Sequence, residues 1–179
     1  MKILYALLIP ASCLYAEDWP QYLGPGRDAV WRESEVELDF AKRPPQLLWS
    51  VPTGGGYAGP SVAEGRVYVM DRLAEPYVAG KLKPGTNVNF VRARIPGKER
   101  VRCLRESNGE VLWEHAYEAD YSSVFPYAIG PRTTPLVHEG VVYTLGAEGH
   151  LRAYTAEEGK LVWHRNIRCH TSLPSSACL

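Results

Sequence analysis

Val101-Arg102-Cys103-Leu104-Arg105-Glu106-Ser107-Asn108-Gly109-Glu110-Val111-Leu112-Trp113 lies without a gap on Leu151-Arg152-Ala153-Tyr154-Thr155-Ala156-Glu157-Glu158-Gly159-Lys160-Leu161-Val162-Trp163, fifty positions later. Gly109 falls on Gly159 and Trp113 on Trp163. Upstream, Pro60-Ser61-Val62-Ala63-Glu64-Gly65-Arg66-Val67-Tyr68 lies on Pro135-Leu136-Val137-His138-Glu139-Gly140-Val141-Val142-Tyr143 at an offset of 75. The two offsets differ by 25 residues, which places an insertion inside the first copy, over 72–98. Self-similarity of this kind marks a fold built by stacking one unit repeatedly.

Each copy runs in the same order: a Pro-led short strand, a Glu-Gly turn, two further strands, a Gly turn and a strand ending in Trp. The strands are predicted at 60–63, 66–71, 100–105 and 110–115, and again at 134–138, 141–145, 150–155 and 160–164. Glu-Gly and Asn-Gly steps supply the positive φ that tight hairpins need. Val67-Tyr68-Val69 and Val141-Val142-Tyr143 are β-branched and aromatic without alternation, as in strands covered on both faces. A four-stranded sheet with two apolar faces must bury both, at about 1.5–3 kcal/mol per large side chain. Radial stacking of such sheets is the β-propeller solution. Trp113 and Trp163 are read as wedges between neighbouring blades, and Trp49, within residues 46–51, as the end of an outer strand whose own blade is missing.

The fold class expected is therefore all-β: an incomplete β-propeller of about two four-stranded antiparallel blades plus one extra N-terminal strand. A closed ring takes at least four blades. Residues 46–167 form the blades, 17–45 an N-terminal extension and 168–179 a tail that leaves the repeat. Residues 1–16 read as a signal peptide, with Lys2, an apolar run from Ile3 to Ile9 and Ala16 before Glu17. That run is too short to span a bilayer. A periplasmic or secreted location follows, with lipid attachment at Cys13 as a variant. The tail and the abrupt end of the pattern suggest a truncated or frame-shifted product, or a short protein that pairs with another chain.

The motif Gly149-His150-Leu151-Arg152-Ala153, continued by Gly159-Lys160-Leu161-Val162-Trp163, resembles the quinoprotein-type, or PQQ-like, β-propeller repeat. The opening Asp18-Trp19-Pro20-Gln21-Tyr22-Leu23-Gly24-Pro25-Gly26-Arg27-Asp28, with Leu48-Trp49 and Gly54-Gly55-Gly56-Tyr57, looks like the start of secreted bacterial members. The resemblance covers about residues 18–167 and implies fold more than activity, because such repeats occur in dehydrogenases and in assembly scaffolds. The family pattern has an acidic residue two positions after the Ala or Cys. Here Arg105 and Thr155 replace it, so weaker hydrogen bonding in the blade turns is expected.

Chemistry is sparse. Twenty basic and twenty acidic residues cancel, which argues against nucleic acid or an anionic membrane as partner. His115, His138, His150, His164 and His170 show no ligand spacing, and no Cys pair or Gly-x-Ser-x-Gly elbow occurs. Cys169 and Cys178 could bridge in an oxidising compartment, or remain thiols near a chain end. Residues 72–100 carry Arg72, Lys81, Lys83, Arg92, Arg94, Lys98 and Arg100 against Glu75 and Glu99, read as a solvated loop, with docking of an acidic partner as the alternative. Tyr117, Tyr121, Phe125 and Tyr127, near Arg132, suggest loop packing or a recognition surface.

The functional expectation is a non-catalytic binding or scaffold module of the cell envelope, whose partner is an envelope protein or the missing blades. The alternative is the N-terminal part of a periplasmic PQQ-dependent dehydrogenase with its cofactor residues elsewhere. PQQ and calcium are expected only under that alternative. No catalytic, cofactor-binding or metal residue is assigned; the assigned positions are the repeat markers Trp49, Gly109, Trp113, Gly159 and Trp163.

Overall fold

The computed structural model describes residues 17–34, 39–75, 95–121 and 130–168. The leader with Cys13, most of the insertion, Phe125, Tyr127, Cys169 and Cys178 lie outside these residues. Eight strands follow one another: β1 (Ser61–Ala63), β2 (Arg66–Ala74), β3 (Gly97–Arg105), β4 (Val111–Glu118), β5 (Leu136–His138), β6 (Val141–Leu145), β7 (His150–Thr155) and β8 (Leu161–Asn166). They form two four-stranded antiparallel meanders, ordered β1-β2-β3-β4 and β5-β6-β7-β8. The fold is thus two blades of an unclosed propeller. No helix among the described residues is long and apolar enough to cross a membrane.

The turns explain why the meanders form where they do. Glu64 and Gly65 have φ of 52° and 71°, and Glu139 and Gly140 have 47° and 72°. Two successive positive values make the two-residue turn whose twist matches antiparallel strands. The β3–β4 and β7–β8 turns are also built alike, each followed by a register shift, between Cys103 and Leu104 and between Ala153 and Tyr154.

These turns are fully bonded, contrary to the weakening expected from Arg105 and Thr155. The amide of Glu110 donates to Asn108 Oδ1 (3.0 Å) in one, and the amide of Lys160 donates to Thr155 Oγ1 (3.0 Å) in the other. Short polar side chains supply the acceptor that the carboxylate would have given.

The insertion differs most from the sequence reading. β2 runs on to Ala74 and β3 begins at Gly97, so the insertion is carried on a lengthened hairpin. Residues 46–51 pair with neither sheet among the described residues. Their ladder partners would belong to a different sheet, and side chain Trp49 ties the segment down instead.

The N-terminal segment closes the inner edges. Trp19 exchanges two backbone hydrogen bonds with Val62 of β1 (2.8 and 3.0 Å), while Pro20 accepts from the amide of Val137 in β5 (2.8 Å). One short stretch thereby stitches both blades together and occupies edge groups that would otherwise be open to pairing.

Candidate functional site

Antiparallel register sets the side chains of β2, β3 and β4 in rungs on one face. Tyr68, Cys103 and Trp113 form one rung; Met70, Val101 and His115 the next; Arg72, Glu99 and Tyr117 the last. This face meets the second blade. Trp113 Nε1 donates to the carbonyl of Ala156 (3.0 Å), and its ring lies on Gly159, where an added Cβ would come within 2.6 Å of Trp113 Cδ2. Gly159 has φ of 70°, so backbone conformation and close approach both demand glycine there. Tyr68 hydroxyl reaches the same carbonyl at 3.3 Å, and His115 stacks on Tyr154 with centroids 5.0 Å apart.

Trp49 repeats this arrangement one step earlier. Its Nε1 donates to the carbonyl of Glu106 (2.6 Å), and a Cβ on Gly109 would come within 2.6 Å of Trp49 Cε3. Glu106 and Gly109 are the repeat equivalents of Ala156 and Gly159. Trp163 is the third member of the series, and it is 39% exposed where Trp113 is 8%. Leu161, Val162 and Ile167 beside it are also exposed. The five repeat markers therefore separate into two seated pairs, Trp49 with Gly109 and Trp113 with Gly159, and an open Trp163.

The last rung is polar, with Arg72 and Glu99 fully buried and Tyr117 half-buried, which corrects the reading of Arg72 and Glu99 as part of a solvated loop; Arg100, on the opposite face, is half-buried. Glu99 is 0% exposed and accepts from Tyr117 and Tyr121 hydroxyls (2.7 Å each) and from the amide of Ala147 in the second blade (2.8 Å). Burial first, and then the Glu99 carboxylate, raise both tyrosine hydroxyls well above their ordinary pKa, so they remain donors. Arg72 donates to the carbonyls of Ala119 (2.7 Å), Ile95 (2.7 Å) and Pro96 (3.0 Å) and lies 3.7 Å over the Tyr121 ring. Arg152 covers Tyr117 in the same way at 3.9 Å.

The opposite face of the first blade carries Asp71, which bonds Arg100 Nη2 (2.7 Å), Arg102 Nη2 (3.3 Å) and the amide of Gly54 (2.6 Å). Burial would raise the Asp71 carboxyl, but Arg100, Gly54 and Arg102 outweigh it and hold the carboxyl below its ordinary value. Arg102 also donates to the carbonyl of Pro52 (2.9 Å), which fastens the segment after Trp49. Cross-strand alternation was the sequence signal for this network: Arg100 and Arg102 share a face, and Asp71 stands opposite Arg100.

Quinone dehydrogenases of the resembling family need a calcium ion held by free oxygen ligands. Among the described residues, the buried carboxylates Asp71 and Glu99 do not fit that role. Asp71 and Glu99 are already saturated by guanidinium, phenol and amide donors, which a hard cation would have to displace. No group of three or more His, Cys, Asp and Glu able to hold a metal occurs among the described residues.

A second concavity, about 460 Å³, lies beside the N-terminal stitch and is lined by Trp19, Tyr22, Tyr57, Pro60, Arg132 and Thr134 among others. Tyr121 is fully buried on Glu99, whereas Arg132 lines this cleft, so the aromatic stretch read from sequence is divided between two places. No sequence motif pointed to the cleft, because its residues come from three separate stretches.

No curated protein matches the chain. Among solved structures, a europium-containing methanol dehydrogenase matches at 21% identity over 66% of this chain and 26% of that one, with a TM-score of 0.27. The chain spans about a quarter of that enzyme's length. The family model described as outer membrane protein assembly factor BamB matches residues 29–177. With that match over most of its length and two stacked four-stranded meanders, the chain belongs to the PQQ-like β-propeller repeat family.

Proposed function

We propose that this chain is an exported binding or scaffold module of the cell envelope, acting through packing with further protein rather than through catalysis. The observation that carries the reading is the Trp series: two indoles seated on glycine turns, and Trp163 presented on an open apolar strip. An edge of this kind is an assembly surface. Leader residues 1–16 support export, and the match to the family of an outer membrane protein assembly factor supports the envelope as location. The buried carboxylates support a non-catalytic role, since each is engaged by internal donors.

Expression of the full chain with a C-terminal tag, followed by cell fractionation and mass measurement, tests export. A product beginning at Glu17 outside the cytoplasm is expected; acylated Cys13 would make it lipid-anchored instead, and an intact cytoplasmic chain would overturn export. Titration with PQQ and calcium is expected to leave the absorbance spectrum unchanged. A saturable stoichiometric change would overturn the non-catalytic reading in favour of the dehydrogenase alternative.

A further inference from the structure

The cleft beside the N-terminal stitch has the build of a ligand site. Its volume of about 460 Å³ falls within the range of small-molecule sites, about 300–1,000 Å³. One wall is rigid. Trp19 is fixed through its backbone by the two hydrogen bonds to Val62, and its ring lies against Gly24, where an added Cβ would come within 2.7 Å of Cη2. Gly24 has φ of 76°, which further restricts the position to glycine. A fixed ring can bind a flat partner without first being ordered.

The remaining walls are amphipathic. Tyr22 and Tyr57 are 70% and 61% exposed, and Pro60 adds a saturated ring. Tyr22 and Thr134 each add a hydroxyl. Aromatic rings offer apolar faces with polar edges, so the matching ligand has a flat C–H face and a rim of hydroxyls. A purely apolar ligand would make no use of the hydroxyls; a small anion would make no use of the rings.

We propose that this cleft binds a pyranose saccharide, with sugar rings stacked on Trp19, Tyr22 and Tyr57 and sugar hydroxyls bonded at the rim. Because the cleft is open to solvent, the saccharide extends beyond one ring, and an oligosaccharide binds more tightly than its monosaccharide. This inference is independent of the assembly role proposed above, since it concerns the inner edge of the blades and not the Trp163 strip.

The test is titration of the full chain with chitotriose, cellotriose and maltotriose, followed by calorimetry and tryptophan fluorescence, with a proline-rich peptide as control. Saturable binding of at least one trisaccharide, with a change in tryptophan emission, is expected. Tyr22→Ala and Tyr57→Ala are each expected to weaken it about tenfold, the loss of one good contact. Both rings are largely exposed, so melting temperature should stay unchanged in these variants and a folding defect would be recognised. Absence of saturable binding by all three sugars would overturn the proposal. So would binding of the peptide alone, or sugar binding indifferent to both substitutions.

Discussion

Asp71 is the residue on which acid stability turns. Its folded carboxyl lies below the ordinary value, so its contribution is present above about pH 4, the unfolded value, and fades as pH falls through the depressed one. Asp71→Asn should remove part of the acid slope of the melting temperature. It should also destabilise by roughly 3 kcal/mol at neutral pH, because Arg102 loses its counter-charge in a buried place while Arg100 keeps only the more exposed Glu114; chemical denaturation across pH checks both. Gly159→Ala should lower stability by about 1–3 kcal/mol, since its Cβ would intrude on the Trp113 ring. Gly65→Ala offers a control with positive φ but open space, and denaturant midpoints separate strain from collision. Glycine and tryptophan positions were legible from sequence because repetition marks them. Glu99 and Arg72 were not, because a charge reads as solvated until its partners are known, and Glu99 meets Ala147 only when the blades are stacked.

At the scale of elements, all eight strands were legible, since turn chemistry and β-branched runs fix each hairpin locally. The length of the β2–β3 hairpin was not. Its ladder gains three pairs, Arg72–Glu99, Leu73–Lys98 and Ala74–Gly97, and the first extra rung is the charged Arg72 and Glu99, so the apolar signal that ends a strand stops before the ladder does. The same rung is predicted to couple the blades. Glu99→Ala would leave two tyrosine hydroxyls and the amide of Ala147 without their acceptor, and a loss of at least about 2–3 kcal/mol is expected from stranded buried donors. Hydrogen exchange should reveal faster exchange at the Ala147 amide first, before the β6–β7 ladder loosens. Cys103 provides a probe of the neighbouring rung: burial pushes its thiol up to about 11, and a thiol reagent should modify it at the rate of unfolding.

For the whole molecule, the two blades repeat one contact and leave it open at Trp163. An exposed strip of Leu161, Val162, Trp163 and Ile167 should drive association as concentration rises. Sedimentation velocity should detect it, and Trp163→Glu should shift the distribution toward monomer without altering the Trp113 seam. In a Trp31→Phe background, which removes a more exposed indole, iodide should quench Trp163 in preference to Trp113. The number of blades needed for closure was not legible, because nearest-neighbour contacts specify how sheets stack and carry no count of them.

The lengthened β2–β3 hairpin runs past the Arg72–Glu99 rung to Ala74 and Gly97, and Ile95, just ahead of Gly97, pairs with Tyr121. Ile95 is buried against Tyr121 and its carbonyl holds Arg72, so chain added next to it would disturb the rung that joins the blades. A splice port is accordingly set by these anchors: a reporter or affinity domain grafted between Glu75 and Ile95, clear of both, would ride on the first blade as cargo.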